Sequence, residues 1–188
     1  MRGIRIKLEG DLDRKYLPKI IEILDRDGKI LMIATGKSIP KTFTAIVKLK
    51  DYSIFDFKYD VRIIPKNLIT FKKKRSVMPI LRIYLYKGQK NEFKIPESIE
   101  SVIVSTKREK LNTYLARAIY KLKEGKIVKI EGIGNATFFV CWLVACLQVH
   151  RESKHLVNDY FAVIEKVEDK LGKRAKLKVF IFPKQVTH

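Results

Sequence analysis

The stretch that decides the fold is residues 126–147, KIVKIEGIGNATFFVCWLVACL, which alternates as a strand, turns on glycine and continues as an apolar helix. A similar stretch lies 98 residues earlier, where residues 28–49 read GKILMIATGKSIPKTFTAIVKL. The same spacing relates Tyr16-Leu17 to Tyr114-Leu115, and matches Leu81 and Ile83 with Val179 and Ile181. One register therefore runs from end to end, and a period this long indicates a duplicated small domain.

The duplication predicts two tandem domains, residues 1–88 and 101–188, joined by a linker over residues 89–100. Each reads as β-α-β-α-β-β, so we expect an α+β fold in which the two copies pack as a pseudo-dimer. In repeat one the predicted strands cover 3–8, 29–34, 55–64 and 80–86. Its helices are predicted over 14–24, opened by Asp13, and over 39–50. In repeat two the strands cover 101–106, 126–131, 160–167 and 177–182, with helices over 109–123 and from Asn135, as cap, to about residue 154.

The charge balance is unusual. Forty Lys and Arg residues face twenty Asp and Glu residues, giving a formal net charge of +20 and a pI near 9.9. A solvated surface of the kind found in thermophiles is one interpretation, but that enrichment raises Lys and Glu together. Bases here outnumber acids two to one, which favours nucleic acid or another polyanion as partner.

The most apolar stretch, FFVCWLVACL at residues 138–147, is about half the ~20 residues needed to cross a bilayer. It is apolar on every side, so we expect this helix to form the contact between the repeats. Cys141 and Cys146 lie within it and are interpreted as small buried hydrophobic residues. The chain begins directly with a strand pattern and no signal peptide, which predicts a cytoplasmic protein without membrane contact; association with the nucleoid stays open.

Two glycine turns carry a resemblance. Gly132-Ile133-Gly134-Asn135-Ala136 and Gly36-Lys37-Ser38-Ile39-Pro40-Lys41 each precede the second helix of a repeat, and Lys110-Leu111-Asn112 with Tyr114-Leu115 begins the first helix of repeat two. Together with the element order, these motifs resemble the Alba family of archaeal DNA- and RNA-binding proteins. The resemblance covers nearly the whole chain. It implies a fold related to the C-terminal domain of translation initiation factor 3, a fused pair in place of the family's homodimer, and a β3–β4 hairpin that serves as a nucleic-acid-reaching arm.

The physics of the turns stands beside the resemblance. Gly36 and Gly134 permit a tight turn whose backbone N–H groups open a helix, where phosphate binds readily, and Lys37 adds a charge. The alternative is an ordinary strand-to-helix turn. Because repeat one keeps the basic Lys37 and repeat two the neutral Asn135, we expect an asymmetric site.

The segment between the last two strands of repeat one is the sharper signal. Residues 65–75 hold five cations and no acid, and we expect a connection far longer than its counterpart in repeat two. A basic two-stranded arm of this kind tracks a nucleic-acid groove, with its charges on phosphates. The alternative is a basic loop that touches nothing.

Catalysis has little support in the sequence. His150, Glu152 and His155 do not have the spacing of a zinc-binding helix, and no nucleophile–base pair, metal cluster or cofactor motif is recognisable. We therefore expect a non-enzymatic protein without metal or cofactor. The alternatives are an RNA-binding subunit of a ribonuclease P-like ribonucleoprotein, or an RNA-processing enzyme that uses His150. The aromatic residues Phe71, Tyr84 and Tyr86 suit DNA or RNA alike.

The partner is thus predicted to be duplex DNA, RNA or both, with further oligomerisation left open. The predicted nucleic-acid-binding residues come from the turns, the arm, the first helix of repeat two and the last hairpin: Lys37, Lys41, Lys66, Lys72, Lys73, Lys74, Arg75, Lys107, Arg108, Lys110, Gly134, Asn135, Lys173 and Arg174.

Overall fold

The computed structural model describes residues 1–7, 9–52, 56–69, 75–88, 92, 94–106, 111–169 and 172–184, with the backbone alone at 68, 69, 75 and 169. Repeat one has its strands and helices in the predicted order. Its strands and helices are β1 (Gly3–Arg5), a π-helical turn (Leu12–Tyr16) leading into α1 (Leu17–Asp27), β2 (Lys29–Thr35), α2 (Ser38–Tyr52), β3 (Phe57–Ile69) and β4 (Arg75–Lys87).

Repeat two follows the same order. Its elements are β5 (Glu100–Ile103), α3 (Leu111–Lys123), β6 (Val128–Ile133), α4 (Ala136–Val149), β7 (Val157–Asp169) and β8 (Gly172–Pro183). The fold is therefore α+β, with two four-stranded mixed sheets and four helices. Sheet one has the strand order β1-β2-β4-β3 and sheet two the order β5-β6-β8-β7.

The sheet registers correct the single spacing of 98 residues. Ile30 pairs with Leu85 in sheet one and Val128 pairs with Ile181 in sheet two, so Leu85 matches Ile181 at a spacing of 96. The expected match of Leu81 with Val179 is therefore wrong by two residues along the strand. The pairing of β3 with β4 and of β7 with β8 likewise matches Ile63 with Ile164, at a spacing of 101. The spacing changes because the connections that flank β3 and β7 differ in length.

The two hairpins correct the predicted long connection. β3 continues through Pro65 to Ile69 and pairs with Arg75–Pro79, so only residues 70–74 separate the strands. In repeat two the pairing reaches Asp169 and Gly172, which leaves residues 170–171 between them. Both repeats therefore carry a two-stranded arm in which the pairing of the last two strands continues past the body of the sheet.

Local signals explain the helix ends. Asp11, not Asp13, opens the first helical segment: its carboxylate accepts hydrogen bonds from the backbone N–H groups of Asp13 and Arg14 at 2.8 and 3.1 Å. The same bonds lower the pKa of Asp11. Gly28 ends α1 with a φ of +66°, a left-handed conformation that favours glycine. None of the described helices is long and apolar enough to cross a membrane.

Helix α4 forms the predicted contact between the repeats. It packs on β6 and β8 of its own sheet, and also on β3, β4 and α2 of repeat one, while α2 packs on β7 and β8 of repeat two. Cys141 and Cys146 are free and buried there, as expected, and burial raises the pKa of both thiols. An all-round apolar helix is stable here because both repeats cover it.

The contact uses matched residues from the two repeats. The Tyr59 hydroxyl accepts a hydrogen bond from the Ile164 N–H at 2.9 Å and lies 3.5 Å from the Ile164 carbonyl oxygen. Reciprocally, the Tyr160 hydroxyl accepts from the Ile63 N–H at 2.7 Å and donates to the Ile63 carbonyl at 3.2 Å. Tyr59 corresponds to Tyr160 by the same register that matches Ile63 with Ile164. This exchange is the relation of an isologous dimer interface, made within one chain.

A second matched pair reinforces the first. The Lys50 ammonium donates to the Ile164 carbonyl at 3.0 Å, and the Gln148 amide, 98 residues later, donates to the Ile63 carbonyl at 2.9 Å. β3 and β7 are the outer strands of their sheets, with unpaired backbone groups on one side. Side chains of the opposite repeat satisfy those groups at Ile63 and Ile164, which closes both edges at the centre of the molecule.

Candidate functional site

The glycine turn of repeat one is built as predicted. Gly36 has a φ of +55°, and the Ser38 hydroxyl holds the turn by donating to the Thr35 carbonyl at 2.7 Å and accepting from the Thr35 N–H at 3.1 Å. The Ile39 N–H donates to the Gly36 carbonyl. Lys37 projects from this turn and is exposed, with no ion-pair partner in the described part of the chain.

The turn of repeat two has the same shape but a different hydrogen-bonding role. Gly134 has a φ of +57°, and its N–H donates to the Ala175 carbonyl at 2.9 Å, so this N–H is used by the fold and not offered to an anion. The prediction that Asn135 caps α4 with its side chain is wrong. The Thr137 hydroxyl supplies the local bond, to the Gly134 carbonyl at 2.7 Å, because the backbone at Asn135 is already helical.

Each turn lies at the base of an arm. In sheet one Thr35 pairs with Ile80 and Ile80 with Ile64, so Lys37 and the exposed Lys66 follow at the same end of the sheet. In sheet two the Arg174 side chain lies beside Gly134, where a Cβ would come within 3.6 Å of the Arg174 Cδ. The structure therefore brings together turn and arm residues that the sequence predicted separately.

Two of the predicted cations are engaged by the protein itself. The Lys41 ammonium donates to the Gly10 carbonyl and lies 5.3 Å from the centre of the Tyr16 ring, so it ties α2 to the segment before α1. Lys173 lies 3.8 Å from the carboxylate of Asp51, which also binds Lys166 at 2.8 Å. The hydrogen bond from Lys166 holds the pKa of Asp51 below its usual value. Lys41 and Lys173 thus have structural contacts that the sequence did not reveal.

The two turn-and-arm groups lie near opposite ends of α2. Lys37 precedes the first residue of this helix, and Asp51, near its last residue, reaches Lys173 beside Arg174. A helix of 15 residues is about 22 Å long at 1.5 Å per residue. The remaining predicted residues, Lys72, Lys73, Lys74, Lys107, Arg108 and Lys110, lie outside the described residues, as does the side chain of Arg75.

The structure adds a surface that the sequence prediction missed. We use the term open face of sheet one for the side chains of β1–β4 that alternate with the buried ones. Across its middle row Arg5 lies beside Ile33, Ile33 beside Arg82, and Arg82 beside Arg62. The next residues along β4 on this face are Tyr84 and Tyr86, both half-buried. Strict alternation with buried Leu81, Ile83 and Leu85 was the signal that could have found the face.

The cations of this face exceed its acids. Asp60 is its single described acid among the residues of β1–β4, and it binds Arg62 at 3.0 Å. Arg5, Lys58 and Arg82 are exposed and have no ion-pair partner among the residues the structure describes. Lys58 lies beside Tyr86 on the neighbouring strand. The open face of sheet one therefore combines aromatic surface with uncompensated positive charge.

The open face of sheet two, the corresponding side chains of β5–β8, is arranged differently. Glu131 lies between Lys129 and Lys176, with 3.3 Å to each ammonium, and Glu165 binds Lys178 at 2.6 Å. Burial raises the pKa of Glu131, but the two lysines outweigh it and the net pKa is below the usual value. Phe180 is only 1% exposed and stacks on Phe161 with ring centres 4.8 Å apart.

Of the groups considered for catalysis, His150 and Glu152 lie together at the end of α4 and line one shallow cavity. His150 ends α4, and its Nδ1 accepts from the Glu152 N–H at 3.3 Å, while Glu152 binds Lys123. His155 is exposed, and His188 lies outside the described residues. No group of three or more His, Cys, Asp or Glu side chains in the described ranges is placed to hold a metal ion. No protein-family model and no curated protein sequence matches this chain.

Proposed function

We propose that this chain is a non-enzymatic nucleic-acid-binding protein that holds the phosphate backbone of duplex DNA or RNA with its basic turns and β-hairpin arms. The observation that carries the proposal is the meeting of turn and arm at one end of each sheet. Lys37 and Lys66 lie at the same end of sheet one, and Arg174 lies beside Gly134 at sheet two. The resemblance to the Alba family, in which a hairpin arm reaches DNA, supports the same proposal.

Charge and spacing favour a long polyanion over a small anion. The net charge of +20 repels itself unless it meets negative charge, and the two turn-and-arm groups stand about 22 Å apart along α2. Two such groups on one rigid chain engage one nucleic-acid molecule at two places, which strengthens binding beyond either contact. No base-reading side chain is required, so we expect little sequence preference.

A titration at several salt concentrations tests the proposal. The protein is mixed with fluorescent duplex DNA, folded RNA or single strands, and the dissociation constant is measured by anisotropy. We expect the logarithm of the binding constant to fall linearly with the logarithm of salt concentration, because each neutralised phosphate releases counterion. A slope near zero would overturn the proposal. Competition between folded RNA and duplex DNA then separates an RNA-associated subunit from a chromatin-type protein.

A matched pair of variants locates the contact. Lys37→Gln with Lys66→Gln should reduce the slope by about 1.8 on duplex DNA, if each lysine neutralises one phosphate. Lys87→Gln with Lys126→Gln removes the same charge, but these lysines lie at the far ends of the two sheets and bind Asp25 and Glu124. Equal slopes for the two double variants would show that only total charge matters and that the turns and arms are not the contact.

A further inference from the structure

We infer that the open face of sheet one is a second binding site, specific for single-stranded nucleic acid, in which bases stack on Tyr84 and Tyr86 and phosphates bind Arg82 and its neighbours. The inference rests on the proposed function and adds to it a ligand that the turns and arms do not require. The argument comes from three properties of this face: its aromatic pair, its arginine row and the difference from sheet two, where Phe180 is buried and Lys178 is bound to Glu165.

The tyrosine pair supplies the stacking surface. Tyr84 and Tyr86 are two residues apart on β4 and so project from the same face about 6.6 Å apart. Both are half-buried, so part of each ring is accessible, and no hydrogen bond or ring contact of either is found within the described residues. Aromatic rings held on a four-stranded sheet stack unpaired bases in known RNA-binding domains. The bases of a duplex are stacked on each other and cannot lie flat on such a surface.

The arginine row supplies the anion site. Arg62 and Arg82 are directly opposite on neighbouring strands, an arrangement of like charges that destabilises a sheet. Asp60 already binds Arg62, so a phosphate beside Arg82 supplies the partner that Arg82 lacks, and the planar guanidinium fork suits phosphate oxygens. Arg5 continues the row beyond Ile33, and Lys58 flanks Tyr86. The positive charges therefore lie in a row beside the tyrosine rings. A single strand whose bases stack on the rings would place its phosphates along this row.

Sheet two is an internal control for this reading. Tyr84 and Tyr86 correspond to Phe180 and Phe182, and Arg82 to Lys178, by the registers of the two sheets. Phe180 is covered, Phe161 stacks on it, and Lys178 is bound to Glu165. The same fold thus presents no free ring at position 180 and no uncompensated charge at position 178. The binding features of sheet one are not a general consequence of the architecture.

The experiment compares single-stranded and duplex ligands of one sequence. Binding of a fluorescent 12-nucleotide RNA, the same DNA strand and the DNA duplex is measured by anisotropy for three variants. Tyr84→Leu with Tyr86→Leu keeps the apolar bulk and removes the stacking face, Tyr84→Phe with Tyr86→Phe keeps the face, and Phe182→Leu is the matched change in sheet two. Urea unfolding establishes that each variant is folded.

We expect the double Leu variant to bind single strands roughly 5- to 150-fold more weakly, the loss that one stacked base confers. The double Phe variant and Phe182→Leu should bind single strands as the unchanged protein does, and all three should bind duplex within about twofold. Equal losses on single strand and duplex, or no loss on either, would overturn the inference.

Failure of the proposed function has a different signature. If the unchanged protein binds neither duplex nor single strand, both proposals fail; if it binds both and the double Leu variant does the same, only the second site fails. Ultraviolet cross-linking of the unchanged protein to the RNA covers the case in which the Leu variant does not fold. Cross-links in the peptide that carries Tyr84 and Tyr86 are expected, and cross-links confined to other peptides would contradict the site.

Discussion

Sheets one and two have the same topology, and each has an apolar inner face. Their open faces, however, carry different side chains at matched positions. The inner faces are built from alternating apolar residues such as Ile83 and Val179, and both are fully covered. On the outside, Arg82 is uncompensated where Lys178 is bound to Glu165. Packing constrains every inner residue, whereas an open face is limited only by solubility, so duplication leaves the outside free to diverge. The following predictions test whether the buried contacts of the two repeats are equivalent in energy and whether their open faces differ in binding.

The largest loss of stability is expected from a change at Gly132, on the inner face of sheet two. Gly132 corresponds to Ala34 at the spacing of 98 residues, and a Cβ at Gly132 would come 2.9 Å from the Val140 Cγ2 and 3.1 Å from Ala136. We therefore expect Gly132→Ala to destabilise the protein by about 1–3 kcal/mol through overpacking between β6 and α4. Urea unfolding measures the loss. Gly3→Ala is the control for the added methyl group, since a Cβ there would meet only the Leu31 carbonyl oxygen at an ordinary 3.7 Å, and it should change the stability by less than about 0.5 kcal/mol.

The second prediction tests the equivalence of the repeats at their contact. Tyr59→Phe and Tyr160→Phe each remove one hydroxyl that binds the backbone of the opposite outer strand. We expect similar losses of about 1–2 kcal/mol from the two variants, because each leaves one buried N–H without a partner. Unfolding in urea, monitored by circular dichroism, gives both values. A loss confined to one variant would show that the reciprocal contacts are unequal in energy.

Alkaline pH separates the contact tyrosines from the exposed ones. Burial raises the pKa of Tyr59 to about 12, against about 10 in the unfolded chain. The unfolded state therefore loses its proton first, and the stability that Tyr59 contributes is complete below pH 10 and is lost as the pH rises towards 12. We expect stability at pH 11 to be about 1 kcal/mol lower on this account.

The measurement for this prediction is the difference between the unchanged protein and Tyr59→Phe. Burial lowers the pKa of Lys50, which contributes with the opposite sign, so stability of the unchanged protein alone does not isolate the tyrosine. Urea unfolding at pH 8 and pH 11 should show a smaller fall for Tyr59→Phe. A fall of the same size in both proteins would mean that the Tyr59 hydroxyl titrates normally.

The sequence was sufficient for what depends on local pattern. Strand alternation and helical periodicity predicted the element order of both repeats, and the all-round apolar character of α4 predicted its place between them. Cap details were predicted less well. Asp11 caps the first helical segment where Asp13 was predicted, and Asn135 makes no side-chain cap bond, while the Thr137 hydroxyl donates to the Gly134 carbonyl. In each pair the backbone conformation selects the residue, and that conformation is not readable from composition.

Longer-range features were beyond the sequence for a physical reason. Periodicity shows which side of a strand is buried, but not which residue more than 90 positions away covers it, so the exchange between Tyr59 and Ile164 had no local signal. The same limit applied to Lys41 and Lys173, whose contacts with Gly10 and Asp51 come from other segments of the chain. The open face of sheet one was visible as alternation, but the absence of ion-pair partners for Arg5, Lys58 and Arg82 among the described residues became visible only once the neighbouring strands were placed.

The smallest effect is expected when the open face of sheet two is given uncompensated positive charge like that of sheet one. Glu131→Gln with Glu165→Gln should release Lys129, Lys176 and Lys178 from their ion pairs on sheet two. We expect duplex and single-stranded DNA to bind roughly 1.5- to 5-fold more tightly, with a steeper salt dependence, because the released lysines add positive charge that can neutralise phosphates. Because Phe180 stays covered, the gain should be equal for the two ligands. A gain confined to single strands would mean that charge alone creates the preference, and that the tyrosines of sheet one are not its source.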